Sequence, residues 1–571
     1  MTYATERDAI SRTPVTLVIL TFDYCSNTFG AAPCTAAGTK CYNTYPTCKD
    51  KANYTKSSKD YKFTSIDAPL PFSAGERPYL DSINYAPTEI KTSLTVNARV
   101  DLVFADEDDT DVGIDPYYAD RTKPIPGTFW RKLIARNRNY KGRSVKIYEG
   151  FLGLAEGDYV QTWYGIIDNI KIDKDSVTIG CVDLLKKLSE IEVPAKLGLF
   201  LPSSISSAAT QITLNSATAI DATGMIRIGD EIIGYGARST VTHILSNCTR
   251  AEFQTIAEAH SEKAKVQQCR HYAPGNAFDH MVTILKTDAG ISTDYIDEAA
   301  FTSCSTWPLV EPASFAALIS EPISLDKLYY ELVEMTDCKT WVAEDLKITI
   351  CRNIGNEPAR PYKTWTDDAN IVYGSVNVDL NEQSRITRAA MYYDKDAIGD
   401  IEETSAYGRL AVTIDADAES SKEYNDLLEK KVFNRWFPSS ANASTSIDMA
   451  AKYWTGRRVM NYRNALPIIS LSVERKDADA KVGDYIMLHC DDLNQANGND
   501  STGKYQIVYR DFKGDKADYK LQKMPERKVC FIGSTTRAEG YTSASAAEKE
   551  YGYLGTTLGE MGNQDPAYFI W

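Results

Sequence analysis

The stretch from residue 23 to 63 constrains this chain more than any other. It follows an apolar run, Val15 to Leu20, that reads as a buried strand, and apolar periodicity then vanishes. Cys, Gly, Pro, Asn, Thr and Lys dominate. A loop of that length without a core is uncommon unless something staples it. Four cysteines lie inside it, Cys25, Cys34, Cys41 and Cys48, spaced C-x8-C-x6-C-x6-C. Thiolates are soft ligands, and four of them satisfy either a tetrahedral zinc or an iron–sulfur cluster. Gly30, Pro33, Gly38 and Pro46 let the backbone wrap a small inorganic core.

The spacing ranks these alternatives. Structural zinc usually draws its ligands in close C-x2-4-C pairs, and the segment has neither such a pair nor a histidine. An iron–sulfur cluster takes ligands from several directions and tolerates wider spacing. An iron–sulfur cluster on Cys25, Cys34, Cys41 and Cys48 is therefore expected ahead of zinc. Two disulfides, formed outside the cell, and four free thiols stay open as well. Metal–ligand energy would replace the missing hydrophobic core, which makes the group a staple. No flavin or nicotinamide motif accompanies it as a redox partner.

The chain has 571 residues, more than one core of about 250–300 residues accommodates, so several domains are expected. Its formal charge is 63 − 78 = −15. That opposes tight sequence-independent nucleic-acid binding, which needs a basic footprint. It leaves open a channel whose acidic wall lets DNA slide without sticking, and the plainer reading is that the charge keeps the protein in solution. The 35 Tyr suit half-buried strands and interfaces, while 5 His leave little for His-based catalysis. The first residues lack a basic n-region, and no apolar run reaches the ~18 residues of a membrane span. Folding in a reducing cytoplasm without a transmembrane segment is the expectation.

Short strand patterns divided by Gly and Asp turns recur along the chain, at 92–100, 144–151, 164–172 and 176–181. Helical patterns occupy 130–137, 183–191, 277–287 and 325–335, and 417–460 reads as helical and then irregular. The fold class is mainly β with some α (α+β), a multi-domain assembly of β-barrels or sandwiches. The expected division is 1–192, a β-rich domain including the cysteine loop 23–63; 193–272, a small inserted β-module; 273–365, α+β; 366–530, β-rich; and 531–571, an extended tail.

The remaining signals carry less chemistry. Cys181, Cys248, Cys269, Cys304, Cys338, Cys351, Cys490 and Cys530 read as buried small hydrophobes, with Cys338 and Cys351 placed to face each other across paired elements. His489 and Cys490, adjacent on a strand, point to opposite faces. The acidic run Asp106 to Asp111 lacks the glycine and glutamate of a calcium loop and reads as solvated. Trp130, Trp163 and Trp341 read as core anchors. There is no phosphate-binding loop and no zinc-protease motif, and no carboxylate pair stands out, so no catalytic residue is assigned.

The stretches Phe22 to Gly30, Pro33 to Ala36, Lys40 to Thr44, Thr47 to Asp50 and Ala52 to Tyr54 resemble the N-terminal region of hub proteins in long non-contractile phage tails, the lambda-like tail-tip and gene-transfer-agent hub family. Ile228 to Ile233 with Thr249, Arg250, Ala251 and His260 is similar to a small β-module of tail-tip proteins, although Ala251 stands where that pattern often has glycine. Residues 468–522 are similar to the closing hub domain. The resemblance implies a four-cysteine iron–sulfur site on Cys25, Cys34, Cys41 and Cys48. It implies a non-enzymatic virion protein, assembled in the host cytoplasm, that forms a ring at the tail tip, commonly a homotrimer. The implied partners are the distal tail protein, the tape measure protein and tip fibres or a spike, with DNA passing through the channel without sequence-specific binding. Two other readings compete. One is a tail-associated glycan or cell-wall hydrolase, which needs a cleft with paired carboxylates. The other is a cytoplasmic iron–sulfur or zinc enzyme, which needs an open metal position.

Overall fold

A computed structural model describes residues 3, 13–67, 70, 75–85, 88–89, 99–108, 110–122, 126–306, 314–343, 345–352, 363–420, 422–423, 425–439, 444–474, 477–494, 500–513, 516–523, 553–554 and 568–569. Most of the strand pattern at 92–100, Cys530 and nearly all of 531–571 lie outside these residues. The chain is mainly β, in several sheets with fewer helices. Among the described residues no helix is long and apolar enough to cross a membrane.

The first sheet has eight strands: β1 (Pro14–Cys25), β2 (Lys56–Thr64), β3 (Glu76–Arg77), β4 (Leu80–Tyr85), β5 (Arg99–Ala105), β6 (Ser144–Phe151), β7 (Val160–Ile172) and β8 (Ser176–Val182). Their order is β3-β2-β1-β6-β7-β8-β5-β4. The two end strands, β3 and β4, are separated in sequence only by Pro78 and Tyr79. Laid flat, eight strands would hold their edges about 34 Å apart. The connection from Arg77 to Leu80 spans at most about 11 Å. The sheet therefore curls until its ends approach, in the manner of a barrel.

Period-two alternation fills that curl. Val18, Leu20 and Phe22 of β1 meet Val100, Leu102 and Phe104 of β5 around Phe129 and Trp130 of helix α1 (Phe129–Arg136). The opposite face of β1 is buried too: Val15, Leu17 and Ile19 pack on Phe151, Leu154 and Tyr159. Burial on both faces explains why 15–20 is an unbroken apolar run.

Helix α2 (Leu184–Lys187) leads to a second sheet, whose main strands are β9 (Gly224–Ile228), β10 (Glu231–Arg238), β11 (Ile244–Glu252) and β12 (Lys265–Gly275). It has its own core, including Leu201, Ile212, Ile226 and Leu245. Its last strand does not end there. β12 also pairs with β13 (Phe315–Ile319), which brings the module against the helical middle of the chain.

That middle comprises α3 (Ala277–Thr283), α4 (Glu298–Thr306), α5 (Leu325–Met335), a hairpin of β14 (Cys338–Val342) and β15 (Ile348–Arg352), a three-stranded sheet of β16 (Arg388–Lys395), β17 (Tyr407–Ile414) and β18 (Glu429–Phe433), and α6 (Ser444–Tyr462). One core runs through these elements, from Ile166 to Val459. The expected order within 417–460 is reversed: turns and β18 come first, and the helix comes last. α6 buries Ile447, Ala451, Trp454 and Val459 but also Arg457, which pairs with buried Asp337. A helix burying both kinds of residue shows no apolar stripe to read.

The final sheet is built on β19 (Ile468–Glu474), β20 (Tyr485–Asn494), β21 (Asp500–Lys513) and β22 (Lys516–Lys523). Thr88 and Glu89 add to it through β21. Trp130, Trp163 and Trp341 are all buried. Cys490 is buried on β20 while His489 is exposed, so the two do diverge. The facing of Cys338 and Cys351 fails. The register pairs Cys338 with Arg352 and Lys339 with Cys351, so the two thiols lie on opposite faces of the hairpin.

Candidate metal centre

Strand β1 ends on Cys25 and β2 begins at Lys56, which is the register partner of Cys25. The cysteine loop is thus residues 26–55, shorter than the expected 23–63 because 56–63 alternates into β2 and buries Tyr61 and Phe63, and it is an insertion in a hairpin at one rim of the curled sheet. Its regular structure is two single turns, Tyr45–Thr47 and Lys51–Asn53. Gly30 (φ 73°) and Gly38 (φ 86°) supply left-handed bends that side chains resist.

Cys25, Cys34, Cys41 and Cys48 line one pocket with Asn27, Phe29, Ala36, Asn43, Thr44, Lys49 and Asp50. All four are free thiols. Burial pushes the Cys41 thiol up; its hydrogen bond to Asn43 acts the other way, and charge on Cys48, Cys25 and Cys34 adds to the rise. Yet among the described residues no three His, Cys, Asp or Glu side chains are arranged to hold a metal ion. The thiols share a pocket without meeting at a point. A single zinc holds its sulfurs about 2.3 Å from one centre, which brings them within about 4 Å of one another.

Residues with no sequence signal hold the loop in shape. Asn43, 6% exposed and left-handed at φ 54°, donates through Nδ2 to the carbonyls of Cys25 (3.2 Å) and Asn27 (3.1 Å). Its Oδ1 faces the Cys41 thiol at 3.6 Å. Asp50 accepts from the Thr35 backbone N–H (2.7 Å), the Thr35 hydroxyl (2.9 Å) and Asn53 Nδ2 (3.0 Å). These bonds draw together the segments that carry Cys34 and Cys48. The Tyr54 hydroxyl is buried, and no hydrogen-bond partner is recorded for it. Burial first, and then Cys25 and the neighbouring Asp23 and Cys48, push its pKa up to about 12.

A second segment braces the loop from outside. Arg121 donates to the carbonyls of Lys40 (Nη1, 3.0 Å) and Cys41 (Nη2, 2.6 Å) and pairs with fully buried Asp115. The guanidiniums of Arg121 and Arg136 lie 3.8 and 4.2 Å from the Tyr42 ring centre. The Tyr117 hydroxyl accepts from the Phe29 N–H at 2.6 Å, and Lys40 pairs with Asp120 at 2.8 Å. The reading of 106–111 as a solvated loop is corrected at both ends. Asp106 accepts from Thr128 Oγ1 (2.9 Å) and the Trp130 N–H (3.3 Å) at the start of α1. Asp111 is fully buried against Arg136 (2.8 Å) and Lys132 (3.7 Å). Both carboxylates are taken up by donors of the protein.

This donor set fits a polynuclear iron–sulfur group. Four soft thiols surround a shared space, a buried tyrosine hydroxyl stands unsatisfied beside Cys25 and Cys48, and the Arg121 guanidinium sits behind Cys41. Donors and positive charge of this kind offset the negative charge of four thiolates.

The other motif residues also meet. Glu231, fully buried at the start of β10, accepts from Arg250 Nε (2.7 Å) and Nη2 (2.6 Å), the N–H groups of Ala251 and Glu258 (both 3.2 Å), and pairs with His260 Nε2 (2.8 Å). Burial opposes its charge, but these bonds outweigh it and hold Glu231 down to about 2. A carboxylate this fully satisfied folds the module; it offers no free lone pair for chemistry.

No protein-family model matches the chain, and no curated protein matches it. Among solved structures, the 43 kDa tail protein of prophage MuSo2 from Shewanella oneidensis aligns over 78% of this chain and 99% of its own, at 9% identity and a TM-score of 0.35. A tail protein from Neisseria meningitidis MC58 aligns over 77% and 92%, at 10% identity and a TM-score of 0.34. A chain of a native gene transfer agent virion aligns over 80% and 87%, at 10% identity and a TM-score of 0.29. At these scores no residue role is transferred.

Proposed function

We propose that this chain is a structural baseplate hub protein of a long non-contractile phage tail, and that Cys25, Cys34, Cys41 and Cys48 hold a 4Fe-4S cluster as a staple. The observation that carries the reading is the convergence of four thiols on one pocket, within a loop that has no apolar core and is braced against a curled sheet. The sequence resemblance of 22–54 supplies the tail-tip setting. When bound, the cluster cross-links the loop through four metal–thiolate bonds. The chain's own residues do the rest: Asn43 sets the bend between Cys41 and Cys48, Asp50 joins the Cys34 and Cys48 segments, and Arg121 ties the loop to 111–121.

In this reading the hub is not an enzyme. It forms a homotrimer that closes the tail tube, meets the distal tail protein and the tape measure protein, and anchors fibres or a spike. DNA passes its acidic surface without sequence-specific binding. The test is anaerobic native mass spectrometry with iron, zinc and sulfide assayed on the same sample. Iron and sulfide at a trimer mass, both lost in Cys41→Ser, is the expected result. Zinc alone would replace the cluster by the alternative ion. Disulfides with no metal would overturn the staple, and a stable monomer would count against the hub.

A further inference from the structure

A second cysteine grouping lies far from this loop. Cys304 sits near the end of α4, half-buried, and Cys338 opens β14, 4% exposed. The Cys304 thiol points to the Ile350 carbonyl at 3.9 Å, and the Cys304 carbonyl accepts from Arg352 Nε at 3.2 Å. Arg352 is the cross-strand partner of Cys338, so both side chains leave the hairpin on the face that meets α4. On that face Cys304 lies over Ile350 and Arg352, beside the strand that carries Cys338, and the Cys338 thiol donates to the Thr336 carbonyl at 3.5 Å. Cys351 lies on the other face, where its sulfur accepts from Gln506 Nε2 at 3.3 Å.

We propose that Cys304 and Cys338 form a redox-active dithiol, closing to a disulfide that links α4 to the β14–β15 hairpin when the protein meets an oxidising medium. The two thiols are unequal in the way such a pair needs. The neighbouring Cys338 thiol and then the Arg352 guanidinium lower the Cys304 pKa against the opposing effect of burial, and burial raises that of Cys338. Cys304, the more exposed and more acidic, attacks first, and Cys338 resolves. With a low-molecular-weight disulfide RSSR as oxidant, the Cys304 thiolate attacks one sulfur and the S–S bond of RSSR breaks. The released RS− takes up the proton that Cys304 gave. The Cys338 thiol then loses its proton and attacks the Cys304 sulfur, expelling a second RS− that takes that proton. The pair loses two electrons, and RSSR becomes two RSH.

The linked hairpin is also the element that grips the final sheet. Lys339, on the face opposite Cys338, donates to Gln506 Oε1 (2.9 Å) on β21 and Gln522 Oε1 (2.6 Å) on β22. A disulfide at Cys338 therefore stiffens the junction between the helical core and the final sheet. The pair stays reduced in a glutathione-reduced medium and closes in an oxidising one. This inference does not rest on the tail-tip reading or on metal in the N-terminal loop.

The test uses the full chain in a graded series of reduced and oxidised glutathione. Samples are quenched by alkylation, digested without reduction and resolved by peptide mass spectrometry, so oxidation of the N-terminal cysteines is scored separately. The expected result is a peptide pair joined through Cys304 and Cys338, lighter by two hydrogens, appearing as alkylation of both is lost together. It returns to two free peptides with dithiothreitol. Cys304→Ser, with its fold checked by circular dichroism, should lose the linked peptide and leave Cys338 reduced. Glutathione retained on Cys304 with Cys338 still free, or no change at either residue across the series, would overturn the proposal.

Discussion

Asn43 and Cys25 exchange two hydrogen bonds, the Cys25 N–H donating to the Asn43 carbonyl at 2.7 Å and Asn43 Nδ2 donating to the Cys25 carbonyl at 3.2 Å. This exchange fixes the last residue of β1 to the bend that carries Cys41. It makes Asn43 the side chain on which the ring of thiols depends most.

Asn43→Ala removes the amide and places a β-carbon at a left-handed backbone. It should cost about 1–3 kcal/mol of local stability. Asn43→Gly removes the amide but relieves the backbone, and should cost less. In the proposed cluster-bound form, chelator-driven release of iron reads the difference. Equal release from wild type and both variants would mean that the amide does not position the ligands.

Arg121→Ala leaves the buried Asp115 carboxylate without its cation and frees the carbonyls of Lys40 and Cys41. An uncompensated buried charge costs about 3–5 kcal/mol. Faster protease cleavage within 26–55 is the expected readout. Arg121→Lys should not restore resistance, because a single ammonium nitrogen cannot span the separated acceptors that the guanidinium fork reaches from three nitrogens. Full protection in Arg121→Lys would show that only the charge matters.

Glu231 links stability to acid. Its folded pKa, about 2, lies below its ordinary value of 4.5. The contribution is present above pH 4.5 and is lost as pH falls from about 5 toward 2, since the unfolded chain takes up the proton first. At neutral pH it is worth about 3 kcal/mol. Glu231→Gln should flatten this part of the denaturation profile followed by circular dichroism. An unchanged slope between pH 5 and 3 would contradict the assignment.

Ala251 holds φ at 58° directly after Arg250. Left-handed backbone costs a non-glycine residue about 1–2 kcal/mol, part of which glycine returns as extra freedom in the unfolded chain. Ala251→Gly should therefore stabilise the module by roughly 0.5–1 kcal/mol. This strain also accounts for the glycine expected at that position. A lower melting temperature in the variant would refute the argument.

Much of the local structure was legible. Leu325 to Met335 shows its helix because one face is apolar, and Ser144 to Phe151 shows its strand because alternate residues are buried. The four cysteines that line one pocket were legible as a group in a segment without apolar periodicity. Asn43, Asp50, Tyr54 and Arg121 were not legible. Their roles follow from what lies beside them in space, and an asparagine in a polar loop looks like any other.

The sequence by itself determined which segments bury a face, and that the four N-terminal cysteines fall in a stretch with no apolar periodicity of its own. Those properties are written in the periodicity and composition of neighbouring residues. Only the tertiary structure decided that the first sheet curls until β3 and β4 approach across Pro78 and Tyr79, that residues 111–121 brace the cysteine loop, and that Cys338 shares the face of Cys304 while Cys351 turns away. Each of these depends on strand register and on contacts between distant segments. A shift of one residue in register reverses which side chains share a face, and local pattern does not encode the partner.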